Sequence, residues 1–337
     1  MPMKPLLVAG LVGLTLLQGR LCHAATELEQ RAEIMAAAKR SFLLNDFDDL
    51  ERLAASYRRE KSRTASGVWK LSVFYDGIND VFIDILKEQR DVAAYDRVEE
   101  RTRNWVEKYP ESPTGHIAHS MVLAERAWAH RGRGAADTVS DAAWALFRQH
   151  IAATRAYLEK HKDVASVDPA WYGEMIAIAR DQNWDRATFD ALLEEALDRE
   201  PLFYQNYFNA VTHLMPRWHG DLQQIEDFAQ YAVRKTRHLE GQGMYARIYW
   251  YASQMDFKNE IFANSLADWP QMKAGFDDVI SRYPDAWNLN NYARFACVAR
   301  DKPKTVELLA RIGTSVVSEA WVPIGLQSQC VQWSSMP

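Results

Sequence analysis

Apolar residues recur at helical spacing along nearly the whole chain beyond residue 25. Phe189, Leu192, Leu193, Ala196 and Leu197 fall on one face of an α-helix, because residues three and four apart lie above one another. The same spacing is carried by Tyr204, Tyr207, Phe208 and Val211, by Ile225, Phe228, Ala229, Ala232 and Val233, by Phe276, Val279, Ile280 and Tyr283, and by Leu289, Tyr292, Ala293, Ala296 and Cys297. Each predicts an amphipathic helix. Met244 to Ala252 is apolar nearly all round, which predicts a helix packed on both sides. Helix starts are signalled by Ser112 before Pro113, Asp168 before Pro169, and Asp221 three residues ahead of Gln224. Stops are signalled by Gly313 and by the glycines of residues 131–134. Alternating patterns at Ser72 to Tyr75 and Ser315 to Val317 are too short to build a sheet.

A faint repeat runs through these helices. Lys108-Tyr109-Pro110, Arg199-Glu200-Pro201 and Arg282-Tyr283-Pro284 each close one helix ahead of another rich in aromatics and alanine. Tetratricopeptide units are helix pairs of about 34 residues with proline at the end of the second helix. The expected fold is therefore all-α: a tetratricopeptide-like α-solenoid of stacked antiparallel helix pairs, right-handed, with a concave surface. An N-terminal helical region, 25–130, and a repeat region, 139–337, are expected to pack as one continuous array across a glycine-rich linker.

Lys4, the apolar run Leu6 to Leu17, and Cys22-His23-Ala24 have the charged, apolar and small-residue order of a cleavable secretory signal over residues 1–24. The run is too short and too interrupted for a retained span, which needs about 20 apolar residues. Periplasmic or secreted localisation follows, and with it an oxidising compartment in which Cys297 and Cys330 can form a disulfide. Loss of Lys4 and Arg20 with the signal takes the net charge from −5 to −7, which argues against broad nucleic-acid binding. No transmembrane segment is expected after cleavage.

The stretches Ala127 to Gly132, Asp168 to Tyr172, Leu214 to Gly220, Glu240 to Trp250 and Tyr292 to Cys297 resemble an uncharacterised bacterial family, a domain of unknown function with tetratricopeptide-like helices. The resemblance spans roughly residues 90–335. It implies the helical-repeat fold and supplies no catalytic residue.

Candidate chemistry is sparse. His116 and His119, with His130 beyond, suggest two nearby imidazoles without a third zinc ligand, so they read as exposed helix histidines. The acid pairs Asp48/Asp49, Glu194/Glu195 and Asp277/Asp278 read as solvated helix faces, since adjacent residues do not face one site. No nucleophile elbow, phosphate-cradling loop or cofactor motif occurs, so no catalytic, metal or cofactor residues are assigned. The 12 tryptophans suit thick helix packing or a stacking surface, and Trp105, Trp128 and Trp144 continue apolar faces that assign them to the core. Two clusters are harder to absorb: Arg217 and Trp218 beside His219, in a turn, and Tyr245, Arg247 and Trp250, a cation among rings. Arg247 requires a partner, either Glu240 or an anionic ligand. These six residues, Arg217, Trp218, Glu240, Tyr245, Arg247 and Trp250, form the expected ligand site. The expected function is an exported, non-catalytic binding or scaffolding protein whose groove takes a protein, peptide or glycan. The alternative is a carbohydrate-active enzyme, a glycoside hydrolase or lyase on an α/α toroid.

Overall fold

The computed structural model describes residues 25–89, 94–132, 134–218 and 220–336. Residues 1–24, read above as a signal segment and including Cys22, and His219 lie outside the described residues. Among those described, every regular element is helical, and the only β-type pairing is an isolated bridge between Arg63 and Trp69. Ser72 to Tyr75 falls within a helix and Ser315 to Val317 forms no strand.

The N-terminal part comprises α1 (Glu27–Leu43), α2 (Phe47–Glu60), α3 (Lys70–Gln89), α4 (Ala94–Lys108) and α5 (Pro113–Arg131). Beyond the linker come α6 (Asp141–Lys160), the single turn α7 (Lys162–Ala165), α8 (Ala170–Asp181), α9 (Arg186–Arg199), α10 (Tyr204–Leu214), α11 (Leu222–Glu240) and α12 (Gly243–Ala252). The C-terminal part holds α13 (Ile261–Asn264), α14 (Trp269–Arg282), α15 (Ala286–Val298), α16 (Lys302–Ile312) and α17 (Leu326–Ser335). Short polar side chains start these helices by accepting otherwise orphaned N–H groups. Thr26 and Glu29 form a reciprocal capping box, Ser112 Oγ accepts from Gly115 N at 3.2 Å, and Asp221 accepts from Gln224 N at 2.8 Å. α5 stops at Gly132 and α16 at Gly313, both with positive φ.

The helices bury the faces their spacing predicts. Phe189, Leu192, Leu193, Ala196 and Leu197 are all core, and α12 is buried on every side but Tyr251. Helices α5, α8, α10 and α12 pack side by side in chain order, while α9, α11 and α14 lie beside them. In the N-terminal part α1 packs closely on α3, an approach only glycine allows: a Cβ on Gly77 would lie 2.5 Å from the backbone oxygen of Met35.

The N-terminal helices do not simply precede the α5-to-α12 row. They cover one side of it. Arg58 of α2 and Tyr75 of α3 both donate to Asp168 Oδ2 at 2.8 Å, and the second arm of Arg58 donates to Thr114 Oγ1 at 2.7 Å. Asp168, which the sequence presents as a helix cap, does accept from Ala170 N at 2.9 Å, but it is also a fully buried ion-pair partner 110 residues from Arg58. The segment between α2 and α3 continues this contact. Lys61 pairs with Glu200 at 2.8 Å, Trp69 meets Phe203 edge-on, and the Ser66 carbonyl accepts from Arg247 at 2.8 Å and Asn288 at 3.3 Å. Ser66 is in turn held by buried Glu27, which accepts from its N–H and its hydroxyl, both at 2.7 Å. Burial alone would raise the Glu27 carboxyl, but Arg31 and Ser66 hold it below the ordinary range. An open concave groove is therefore replaced, along this side, by cavities between the row and the chain's own N-terminal helices.

Two further expectations are corrected by packing. His116 and His119 are buried: His116 is bonded to Tyr157 Oη at 2.7 Å and to the Pro110 carbonyl at 2.9 Å, and His119 to Thr102 Oγ1 at 2.8 Å. Trp105 is core as expected, whereas Trp128 and Trp144 are only half-buried and line a cavity. At the C-terminus a disulfide joins Cys297 of α15 to Cys330 of α17.

Removing a single partner of a buried ion pair strands the other, which costs about 3–5 kcal/mol. Asp168→Ala is expected to lose about that much in urea unfolding, and Arg58→Met, which keeps the length without the charge, to lose less than Arg58→Ala. For the disulfide, a closed loop of this size contributes about 3–4 kcal/mol on the chain-entropy model. Thiol titration of the denatured, unreduced chain from residue 25 onward is expected to find neither Cys297 nor Cys330 reactive.

Candidate functional site

Three cavities adjoin along the row, and two of them lie between it and the N-terminal helices. The widest, about 840 Å³, is lined by Trp128 of α5, Phe147 and Trp144 of α6, and Trp218 in the turn after α10, with Arg131, Arg180 and Arg217 among the rings. The second, about 230 Å³, shares Glu125, Trp128, Arg180 and Asp181 with the first and is walled by α3, α5, α8 and α10. The third, about 190 Å³, shares Ser72, Asp76 and Gln205 with the second and extends to Arg247 and Trp250 of α12 and Trp287 of α15. Neighbouring cavities share lining residues, so the three lie in a row, a polar passage in sections, from the tryptophan mouth to the Ser66 junction.

The mouth is braced by cations on rings, an attraction between guanidinium charge and the negative ring face. Arg131 lies 4.8 Å from the Trp144 ring and 5.2 Å from Trp128, and Arg180 lies 4.7 Å from Trp218. Trp128 meets Trp218 edge-on at 5.9 Å and donates its indole N–H to Asp181 at 3.0 Å. Arg217 is anchored by Asp256 at 2.9 Å. The rings are thus fixed in place by groups that also make the mouth polar.

Behind the mouth stand four carboxylates, Asp76, Glu125, Glu174 and Asp181. Local sequence places them there. Ser72, Asp76 and Asn79 form a polar stripe at helical spacing on α3, beside the buried apolar residues Leu71, Val73, Phe74 and Ile78, and Glu174 and Asp181 do the same on α8. Gly173 lets α10 come close enough for Asn209 to donate to its carbonyl at 3.0 Å. Asp76 and Glu174 make no hydrogen bond or ion pair among the described residues. Burial, reinforced by the charges of Glu125 and Asp181 and opposed by Arg180, pushes the Glu174 carboxyl up to about 8. Asp76 opens onto the cavity and is exposed there, yet the protein crowded around it, with the charge of Asp80, raises its carboxyl to about 6 against the pull of Arg31. Asp181 is raised by burial despite its ion pair with Arg180 at 2.7 Å. Among the described residues no group of histidines, cysteines and acids is arranged to hold a metal ion. The paired acids read from the sequence lie elsewhere on the surface: Glu194 is bound to Tyr231 and Lys235, and Glu195 to Lys162 at 2.9 Å.

The six residues expected to form a ligand site divide. Arg217 and Trp218 line the mouth, and Arg247 and Trp250 line the 190 Å³ cavity at the far end of the same passage. Glu240 and Tyr245 are structural: Glu240 accepts from Tyr283 Oη at 3.1 Å, and Tyr245 donates to Glu226 at 3.0 Å. Arg247 is not paired with Glu240. It donates to the Ser66 carbonyl and stacks over Tyr204 at 4.7 Å and Tyr283 at 5.5 Å. The acids of the passage were missed; their signal is an ionisable residue within an apolar helix, followed by a second polar residue three, four or seven positions on.

Compared with protein-family models, curated proteins and solved structures, the chain gives no match. Among the described residues no helix is long and apolar enough to cross a membrane.

The raised Glu174 carboxyl has a stability consequence. Its folded value, about 8, lies above the ordinary 4.5, so its contribution to stability is present below the unfolded value and is lost as pH rises through the folded one. Glu174→Gln is expected to unfold at a higher temperature than the parent at about pH 9 and at nearly the same temperature at about pH 4. Equal shifts at both pH values would mean that the carboxyl titrates normally.

Proposed function

We propose that this chain is an exported helical-repeat binding protein, its helix pairs stacked as a tetratricopeptide-like solenoid of the kind seen in the uncharacterised bacterial family it resembles. In this reading residues 1–24 direct it to the periplasm or the cell exterior, and its role there is non-catalytic. The observation that carries the reading is the passage itself: a mouth of about 840 Å³ framed by Trp128, Trp144 and Trp218, next to a cavity lined by four carboxyl groups. Apolar walls with a few convergent polar groups are the general make-up of a ligand site. The groove ligand in this reading is a peptide or glycan rather than a nucleic acid, given the negative net charge.

One observation favours a second reading. Glu174 holds its proton at neutral pH beside carboxylates that lose theirs more readily, and a glycoside hydrolase needs such an acid next to an ionised partner. The carbohydrate-active enzyme stands as the alternative on that ground.

Thermal-shift screening of the mature chain against glycan fragments and short peptides, followed by titration of any hit, separates the two. A binder is expected to be stabilised by a hit that it leaves chemically unchanged, with Trp218→Ala weakening the affinity about tenfold while the fold is retained. Release of reducing ends from a polysaccharide, abolished in Glu174→Gln, would instead establish the enzyme.

A further inference from the structure

The inner end of the passage carries charge of both signs with neither fully answered. Arg247 and Trp250 are only 4% and 7% exposed, yet Arg247 Nε and Trp250 Nε1 have no hydrogen-bond partner. Both are donors, and buried donors without acceptors are costly. Asp76 lines the same cavity and also the adjoining one, where Glu174 stands with it. Arg31, the cation whose charge acts on Asp76, is already committed to Glu27 and to Ser66 Oγ at 3.1 Å.

A ligand that satisfies this space brings an acceptor anion to Arg247 and Trp250 and a cation to Asp76. A neutral sugar brings hydroxyls but no opposite charge to either group, a polyanion is repelled by Asp76, and a polyamine leaves the two donors unanswered. We propose that the adjoining cavities bind a small zwitterion with a free α-ammonium and a free α-carboxylate, an amino acid or a short peptide, the ammonium at Asp76 and the carboxylate at Arg247 and Trp250. The guanidinium suits a carboxylate because it offers planar paired donors. Phe208 and Trp287 give the cavity an apolar wall for a side chain. Its volume of about 190 Å³ is on the order of six waters' worth, the scale of one residue, and the acidic cavity beside it extends the site for a peptide N-terminus. This inference rests on the binding reading above and names its ligand class.

The test is calorimetric titration of the mature chain at neutral pH with three pools, single amino acids, dipeptides and tripeptides, each also supplied N-acetylated and C-amidated. Saturable binding is expected for at least one unmodified pool, and which pool binds separates free amino acid from peptide. Either modification is expected to raise the Kd at least about tenfold, as is Asp76→Asn, since each removes a charge-assisted contact. Asp76 has no structural partner, so Asp76→Asn remains folded, and Arg247→Lys, which keeps the charge but loses the paired donors, provides the second arm. Binding that ignores both modifications, or no binding by any unmodified pool, overturns the proposal. A glycan fragment included in parallel distinguishes the failures: binding of that fragment dependent on Trp218 leaves the wider binding reading standing, and its absence as well removes both.

Discussion

An ionised carboxylate in the interior is costly unless cations and hydroxyls meet it, and the architecture turns on two that are so met. Asp168 has no exposed surface and is answered by Arg58 and Tyr75 from helices roughly a hundred residues earlier in the chain. Glu27 is answered by Arg31, Thr64 and Ser66. Because isolated charge in the interior is so unfavourable, each carboxylate specifies where its partners must be. Together they fix α1, α2 and α3 against the row of helices from α5 to α12. Apolar contact supplies most of the driving force for that docking, but apolar surfaces slide, and the ion pairs select one position.

The docked position decides what the row offers to the outside. Had the N-terminal helices packed elsewhere, α8, α10 and α12 would present a broad face. With α3 packed on α5 and tied to the row through Tyr75 and Asp168, what remains is a passage whose inner walls come from both parts: Asp76 of α3 lines the same cavity as Glu174 of α8, and the Ser66 carbonyl accepts from Arg247 of α12. The raised carboxyls of Asp76 and Glu174 follow from this enclosure. The nearest cations, Arg31 beside Asp76 and Arg180 beside Glu174, are themselves paired, with Glu27 and with Asp181.

Much of the helical framework was legible in the sequence because its causes are local. The spacing of Phe189 to Leu197, the caps at Ser112 and Asp221, and the stops at Gly132 and Gly313 depend on neighbours within a turn or two. The pairing of Cys297 with Cys330 was legible from the small number of cysteines and the expectation of export. The site was half legible. Arg217, Trp218, Arg247 and Trp250 stood out as cations and rings in unusual company, and all four line the passage. Glu240 and Tyr245 stood out for the same reason, yet their partners, Tyr283 and Glu226, make them structural. Asp76 and Glu174 were passed over because an acid in an apolar helix gains meaning only from what faces it. The facing helix is set by contacts such as Arg58 with Asp168, which no local pattern encodes. Trp128 and Trp144 were assigned to the core for the converse reason: their helical faces are apolar, but the neighbour there is a cavity.

The central claim is that the N-terminal helices are part of the folded body and close over the helical row. Amide hydrogen exchange on the mature, oxidised chain measures this directly, since protection reports the free energy of opening each segment. The account predicts that residues 64–82 exchange as slowly as α8, α10 and α12, and that Asp168→Ala speeds exchange in residues 64–82 ahead of α14 to α16. Rapid exchange of residues 64–82 in the unmutated chain, with α8 to α12 still protected, would contradict it.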